Sequence, residues 1–120
     1  MVFNKLYNFT LVLIVIFLLS VKSSFAENKL LMITADYCVY CQIWEKEIGE
    51  IYPKTDIAKS FPLERIELDE QSIRNDLDSN ETKITPTFVF FKEKDEIGRI
   101  IGYSNAEMFW WQVDEILGLD

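Results

Sequence analysis

The chain has 120 residues, two cysteines and no histidine, and its twelve basic and twenty acidic side chains give a net charge of −8. This length allows one domain, and a hydrophobic fraction of 49% is typical of a packed core rather than a disordered segment. The absence of histidine excludes Ser-His-Asp and Cys-His catalytic sites and every histidine-ligated metal site. The negative charge argues against nucleic acid as a partner, because phosphate is bound by Lys and Arg. The two cysteines are therefore the expected carriers of any chemistry.

The first 26 residues have the pattern of a secretory signal peptide. Lys5 precedes an apolar run of 13 residues at positions 9–21, and the Ser-Phe-Ala motif at 24–26 is a small-x-small cleavage site. The run is shorter than the roughly 20 residues that span a bilayer as a helix. We therefore expect residues 1–26 to be a signal peptide cleaved after Ala26, with an uncleaved membrane anchor as the alternative. Residues 27–120 would then form an exported domain, in a compartment where disulfides persist.

The exported domain begins with a predicted strand and a predicted helix. Residues 29–34 form an apolar run typical of a strand buried on both faces, here called β1. A helix is predicted from near Cys38 to Pro53, followed by a connector at 54–62 with a short helical turn near its middle. One apolar stripe of that helix contains Cys41, Trp44, Ile48, Ile51 and Tyr52.

Three further strands are predicted in the second half of the chain. Residues 63–68 alternate between apolar and charged side chains, which indicates a strand, β2. The polar stretch that follows is expected to contain a short helix at 73–77. Residues 87–91 are aromatic and β-branched and predict β3, and residues 97–101 return after a charged turn as β4, the second arm of a hairpin.

A last helix completes the predicted order. Ser104 and Glu107 have the spacing of a capping box at its start, and Gly118 lies near its end. The order is therefore β-α-β-(α)-β-β-α. The first β-α-β unit implies a right-handed parallel pair of strands, and the late hairpin adds antiparallel strands, so we predict an α/β domain with a mixed sheet.

The Cys38-Val39-Tyr40-Cys41 motif lies at the predicted junction between β1 and the first helix. Backbone N–H groups and the helix dipole at such an N-terminus stabilise a thiolate, which would make Cys38 the better nucleophile. Cys41 is within reach of a disulfide, and its side chain is expected to turn toward the core. The motif therefore predicts an exposed attacking thiol at Cys38 and a shielded resolving thiol at Cys41, as thiol–disulfide exchange requires.

Other interpretations of the cysteine pair start from the same spacing. A purely structural disulfide would close a short ring that restrains the chain little. Zinc would need two further Cys or His ligands, which the sequence lacks. Copper(I) can be held by two thiolates, so a copper(I)-binding module is the alternative function. A binding domain with an unreactive Cys38 is a third possibility, whereas thiol–disulfide exchange itself requires no metal and no cofactor.

Residues near the pair are candidates for partner binding. Tyr37 and Tyr40 flank the cysteines and form either an apolar rim for a partner's peptide or ordinary, partly buried side chains. Thr85-Pro86 precedes β3, where a cis peptide would mark a fixed turn, or a trans proline would start an edge strand. Gly102 follows β4, where the missing Cβ either admits a partner closely or serves a turn.

The charges near the pair are negative. Asp36 and Gln42 bring no positive charge next to Cys38, which favours a reductant over a strong oxidant, since a strong oxidant needs a heavily stabilised thiolate. Acidic residues also dominate positions 64–81. This acidic stretch is interpreted as a solvated face, with electrostatic guidance of a basic partner as the alternative.

Together, the CxxC motif at the first helix, Thr85-Pro86 before the third strand and the closing helix resemble the thioredoxin superfamily. The resemblance covers residues 29–118. It implies a thioredoxin-like fold, with a four-stranded mixed sheet in the order β2-β1-β3-β4 flanked by helices, and a cis Pro86 beside the cysteines. It also implies a protein-disulfide reductase whose redox-active disulfide is Cys38–Cys41.

Longer blocks are similar to the SoxS-type periplasmic thioredoxins of bacterial sulfur oxidation. These blocks are residues 51–56, 85–89, 97–103 and 109–110, and one departure is Val39, where these proteins commonly carry Pro. The resemblance implies a periplasmic reductant that keeps a cysteine of a sulfur-carrier or other exported protein reduced. A membrane thiol–disulfide transporter would supply its electrons, and we expect the protein to act as a monomer.

Overall fold

The computed structural model describes residues 2–20, 27–73, 77 and 80–119. An N-terminal helix, α1 (Val2–Ser20), precedes the folded domain, and its described side chains are exposed. Residues 2–19 make α1 long and apolar enough to cross a membrane, although a signal sequence has the same properties. The helix is thus longer than the apolar run alone indicated. The expected cleavage motif at residues 24–26 lies outside the described residues.

Four strands form one mixed sheet in the order β2-β1-β3-β4, as expected from the sequence. β1 pairs in parallel with β2 and antiparallel with β3, which pairs antiparallel with β4. The charged turn between the last two strands is shorter than predicted, because its flanking residues continue the ladder of hydrogen bonds. The observed strands are β1 (Lys29–Thr34), β2 (Leu63–Glu67), β3 (Thr87–Lys92) and β4 (Asp95–Ile101).

The predicted long helix after β1 is broken into several pieces. An α-helical turn, α2 (Val39–Trp44), continues as a π-helical segment at Glu45–Gly49, followed by a 3₁₀ turn at Tyr52–Lys54. The continuous helix therefore ends earlier than predicted. Ile51 lies beyond it and is 55% exposed, so its place on the buried stripe is wrong, because a π turn holds more residues than an α turn and shifts the side chains that follow. The other four stripe residues are buried.

The remaining helical elements are short, except for the last. The connector contains α3 (Asp56–Ser60), and a 3₁₀ helix at Leu68–Ile73 follows β2 directly. This 3₁₀ helix begins earlier than the helix expected at 73–77, most of which lies outside the described residues. The final helix is α4 (Ala106–Leu117).

The N-cap of α4 is Asn105, not Ser104. The Asn105 side chain accepts from the Met108 N–H at 2.8 Å, so the helix begins one residue later than the predicted capping box requires. Glu107 consequently occupies the second helical position, where a capping box cannot form. At the other end Gly118 adopts a left-handed conformation with φ of 66°, which confirms the expected C-terminal cap.

The sheet separates two apolar clusters. Alternate side chains of β1 and β3 point to opposite faces, so that Leu30 and Phe88 belong to one cluster, and Leu31 and Val89 to the other. The first cluster lies under α2 and α4 and includes both cysteines. The cysteine pair is therefore built onto the main core of the domain.

Candidate active site at the Cys38–Cys41 disulfide

Cys38 and Cys41 form a disulfide across the first turn of α2, with their Cα atoms 5.2 Å apart. β1 ends at Thr34, and a tight turn follows, in which the Cys38 N–H donates to the Ala35 carbonyl at 3.1 Å. Cys38 is the N-cap of α2, and its Sγ accepts from the Cys41 N–H at 3.1 Å. The position predicted for the pair is confirmed. A donor that already points at the Cys38 sulfur would also stabilise negative charge there.

Both cysteines are buried in the disulfide form. Cys38 is 6% exposed and Cys41 is 3% exposed. The shielded position of Cys41 is confirmed, whereas the expected exposure of Cys38 is wrong for this state. The bond to Cys41 and the contact with its N–H hold the Cys38 sulfur against the end of the helix, beside the main apolar cluster.

Three chain segments leave the sheet at the edge that carries the disulfide. Thr87, the first residue of β3, pairs with Ile33 near the end of β1 and with Ile101 at the end of β4. The segment before β3 and the segment after β4 therefore lie beside the turn that leads from β1 to the disulfide. This topology brings Thr85-Pro86 and Gly102 to the same edge as the cysteines.

Pro86 and Gly102 are joined by a hydrogen bond at this edge. Pro86 is buried and follows a cis peptide bond from Thr85, which is half-buried. Gly102 donates its N–H to the Pro86 carbonyl at 2.7 Å. Its φ of 81° is unfavourable for residues with a side chain, while a Cβ at this position would meet no atom within 4 Å. The backbone conformation therefore requires the glycine, and the surface above it is open.

Large apolar side chains stand exposed around the disulfide. Tyr37 is 78% exposed, and Val39 and Tyr40 are each 61% exposed. For Tyr37 and Tyr40, the alternative of ordinary partial burial is therefore wrong. Ile84, in the loop before β3, is also exposed. These residues form an apolar border next to the redox pair.

A buried amide holds the loop that leads into β3. Gln71 is 3% exposed, and its Nε2 donates to the carbonyls of Leu68 and Thr82 at 2.9 Å each. Its Oε1 accepts from the Thr82 N–H at 2.8 Å. The hydroxyl of Thr87 donates to the Ile84 carbonyl at 2.6 Å. This network has no signal in the sequence, because its main partners, Gln71 and Thr82, are 11 residues apart in a polar stretch without periodicity.

Two carboxylates of the π-helical segment tie the cysteine-bearing helix to other elements. Glu45 accepts from Arg65 of β2 through Nε at 2.6 Å and Nη2 at 2.9 Å, and this hydrogen bonding raises the pKa of Arg65. Glu47 accepts from the hydroxyl of Tyr103, just after β4, at 3.0 Å. Burial raises the pKa of Tyr103 to about 12, and the hydrogen bond to Glu47 contributes to that rise. Neither pair has a local sequence signal.

Carboxylates border the disulfide on the side of β2. Glu67 ends β2 and is opposite Thr34 in the parallel pairing, so it lies at the same edge. Partial burial raises the pKa of Glu67, and the negative charges of Asp36, Asp69 and Glu70 raise it further. The described lining of a cavity of about 350 Å³ here contains no basic residue; it consists of Ala35, Asp36, Tyr37, Glu67, Leu68 and Asp69.

A larger cavity, of about 600 Å³, lies at the opposite edge of the sheet. Asn28 and Lys92 at its border flank the start of β1 and the end of β3, away from the disulfide. Among the described residues, no group of three or more His, Cys, Asp or Glu is arranged to hold a metal ion. The disulfide remains the chemically reactive feature of the described chain.

The chain is similar to thioredoxins in both sequence and structure. The family profile described as "Thioredoxin-like domain" matches residues 21–117. The crystal structure of the reduced periplasmic thioredoxin SoxS from Paracoccus pantotrophus is 32% identical, covers 77% of this chain and 97% of its own, and superposes with a TM-score of 0.70.

More distant structures show the same fold. Thioredoxin Mala s 13 from Malassezia sympodialis is 20% identical over 76% of this chain and 79% of its own, with a TM-score of 0.60. Fasciola hepatica thioredoxin is 18% identical over 75% of this chain and 81% of its own, with a TM-score of 0.58. No curated protein sequence matches the chain significantly.

The family match spans most of the chain and includes the CxxC disulfide, the sheet order and the helix that closes the domain. The resemblance to SoxS-type thioredoxins is confirmed by the similarity to the P. pantotrophus structure. The chain therefore belongs to the thioredoxin-like domain family and is a thiol–disulfide oxidoreductase.

Proposed function

We propose that this oxidoreductase is an exported reductant of protein disulfides, with Cys38 as the nucleophile and Cys41 as the resolving thiol. The observation that carries the proposal is the Cys38–Cys41 disulfide at the start of α2, beside open apolar surface. Cys38 is the more exposed cysteine and caps the helix, which suits it to attack, while Cys41 is more deeply buried.

The reaction would proceed in two exchange steps. The Cys38 thiolate attacks one sulfur of a partner disulfide, so that a mixed disulfide forms and the partner's other sulfur leaves as a thiolate. The Cys41 thiolate then attacks the Cys38 sulfur, and the partner's second sulfur leaves as a thiolate. The partner gains two electrons and the chain returns to the Cys38–Cys41 disulfide, with protons exchanged through solvent.

The partner's peptide would dock across the open edge of the sheet. In this proposal Tyr37 and Tyr40 supply apolar contact area, and Thr85 and Pro86 form the opposite wall. Gly102 leaves room beside that wall, because no Cβ projects from its backbone. The high exposure of both tyrosines supports this role, since an isolated domain gains nothing from leaving two aromatic rings in water.

Reduction, rather than oxidation, is favoured by the charges beside the pair. Asp36 lies two residues before Cys38, and Glu67 and Asp69 line the adjoining cavity. Nearby negative charge disfavours a thiolate and so disfavours the dithiol form relative to the disulfide. A dithiol that is less stabilised gives up its electrons more readily, whereas strong oxidants have a stabilised thiolate.

Export would follow from the N-terminal segment. We propose that residues 1–26 are a signal peptide and that residues 27–120 form the thioredoxin-like domain in the periplasm. The apolar helix α1 and the similarity to a periplasmic thioredoxin support this assignment. The mature domain would then act as a monomer on exported proteins, including a sulfur-carrier protein, and a membrane thiol–disulfide transporter would reduce it again.

Trapping of the mixed disulfide tests this function. In cells that export the chain, Cys41→Ser should accumulate disulfide-linked complexes with partner proteins, because the second exchange step is blocked. Dithiothreitol should separate these complexes by reducing the disulfide. A Cys38→Ser/Cys41→Ser variant is the matched control and should form none. Absence of complexes, while iodoacetamide still alkylates Cys38 of the purified Cys41→Ser variant, would contradict the proposal.

The reduced wild-type protein distinguishes the copper(I) alternative. Reduced protein is titrated with copper(I) against a competing chelator, and its reduction of insulin disulfides is measured in parallel. The proposal expects insulin reduction. Tight stoichiometric copper binding without insulin reduction would instead support a copper carrier that uses the same two thiols.

A further inference from the structure

Glu47 and Tyr103 make a hydrogen bond that joins the cysteine-bearing helix to the segment after β4. Glu47 lies in the π-helical segment, six residues after Cys41 on the same continuous run of helix. Tyr103 directly follows Gly102, whose N–H is bonded to the Pro86 carbonyl. One hydroxyl thus connects the helix that carries the disulfide to the segment that holds Pro86.

The hydroxyl is more than a passive part of the core. The Tyr103 ring is 8% exposed and packs edge-on against Phe109, with ring centroids 6.3 Å apart. Packing of this kind needs only the ring. Phe88, an aromatic neighbour in the same cluster, packs there without a polar atom. The hydroxyl adds a bond of 3.0 Å to a carboxylate, and such charge-assisted hydrogen bonds are stronger and more directional than neutral ones.

The other carboxylate of the π-helical segment, Glu45, ties the helix to a different element. Glu45 is held by Arg65 and so ties the helix to β2, while Glu47 ties it toward β4. The pair with Arg65 restrains the helix on the side away from Pro86. Only the bond to Tyr103, of these two, reaches the segment next to Pro86.

We propose that Tyr103 and Glu47 are a positioning pair that fixes the cysteine-bearing helix relative to the Pro86 segment, and thereby sets the width of the partner-docking groove. The pair touches no reacting atom. This inference rests on the proposed function, since a groove of defined width matters for a protein partner and not for a small disulfide. It assigns a role to two residues that lie outside the CxxC motif.

Three variants of the full chain, purified in mild detergent, separate positioning from general stability. Tyr103→Phe keeps the ring and removes the hydroxyl. Glu47→Leu removes the acceptor, and Glu47→Gln retains an oxygen that can accept. Tyr52→Phe is the matched control, because the Tyr52 hydroxyl also makes a buried hydrogen bond, to the Phe61 carbonyl at 2.6 Å, at the other edge of the sheet.

The first measurement is hydrogen exchange of the Gly102 amide, followed by NMR. We expect exchange to become about tenfold faster in Tyr103→Phe and Glu47→Leu, as for the loss of one supporting hydrogen bond, and to be intermediate in Glu47→Gln, which keeps an acceptor but loses its charge. Tyr52→Phe should leave it unchanged relative to other core amides. Unchanged Gly102 exchange in Tyr103→Phe would overturn the proposal.

The second measurement compares a protein disulfide with a small one. Tyr103→Phe should reduce insulin about tenfold more slowly than the wild type, yet reduce 5,5′-dithiobis(2-nitrobenzoic acid) within twofold of the wild-type rate. Equal loss with both substrates would overturn the proposal, because it would indicate an effect on the cysteines themselves. If even the wild-type chain fails to reduce insulin, the proposed function is contradicted, while the Gly102 amide, which needs no turnover, still decides the positioning role.

Discussion

At the scale of single residues, Glu67 is a side chain whose ionised form is disfavoured by its surroundings. Partial burial and three neighbouring carboxylates raise its pKa, so the folded protein binds this proton more tightly than the unfolded chain does. The free energy of unfolding therefore falls as the pH rises and Glu67 loses its proton. The same negative charge adjoins the cysteine pair.

Replacement of Glu67 by Gln should make the protein more stable at pH 7, because the repelled charge is removed. The gain should disappear below about pH 4, where the carboxylate is protonated in both folded and unfolded chains. Urea unfolding of both proteins at several pH values measures this difference. Glu45→Gln is the opposing control, since it weakens the ion pair with Arg65 and should lower stability at pH 7. A wild-type protein that is more stable than Glu67→Gln at pH 7 would contradict the argument.

The sequence predicts those site residues that lie in short, specific motifs, and not those that are brought together only by the fold. The cysteine pair and Pro86 were predictable, because a CxxC motif and a Thr-Pro step before a strand are short and specific. Tyr103 and Glu47 were not, because their hydrogen bond joins positions 56 residues apart and each looks like an ordinary core or surface residue. The burial of Cys38 could not be predicted from the sequence, because it depends on how the disulfide lies against the helix end.

At the scale of elements, α4 is seated against β4 by a close approach at Gly98. A Cβ built on Gly98 would lie 2.8 Å from both Cγ1 and Cγ2 of Ile116, which are held near the branch of that side chain. Gly98 is opposite Phe90 in the sheet, so the strand has little freedom to retreat. The glycine therefore sets how closely the helix packs on the sheet.

Gly98→Ala should lower the free energy of unfolding by about 1–3 kcal/mol, the usual cost of overpacking a core. The loss should be partly recovered in Gly98→Ala/Ile116→Ala relative to Ile116→Ala alone, because the smaller helix residue leaves room for the new methyl group. Denaturant unfolding of the four proteins forms a double-mutant cycle. Strictly additive losses would show that the Gly98–Ile116 contact is not the cause.

The predicted bounds of an element match the observed ones where its pattern of apolar residues is uninterrupted. β1, with its continuous apolar run, was predicted to the residue. The helix after it was predicted too long, because a π-helical segment keeps Trp44 and Ile48 buried and then removes Ile51 from the stripe. Start signals for α4 were ambiguous, since Ser104 and Asn105 are both good N-caps and only the three-dimensional geometry selects Asn105.

At the scale of the whole molecule, the sheet order, the cysteine pair and the acidic surface act together. The β2-β1-β3-β4 order was predictable, because β-α-β and hairpin connections permit few alternatives once a family resemblance is seen. It places the ends of β1, β2 and β4 and the start of β3 at one edge. That edge therefore collects the disulfide, Pro86 and the carboxylates of a strongly acidic domain.

The reduction potential of the Cys38–Cys41 pair tests the central claim most directly. It can be measured by equilibrating the chain with glutathione or dithiothreitol buffers and trapping the free thiols. The acidic surroundings and the absence of histidine predict a reducing potential of about −270 mV, the value typical of thioredoxin. A potential of about −120 mV, typical of a strong periplasmic oxidant, would contradict the assignment of this protein as a reductant.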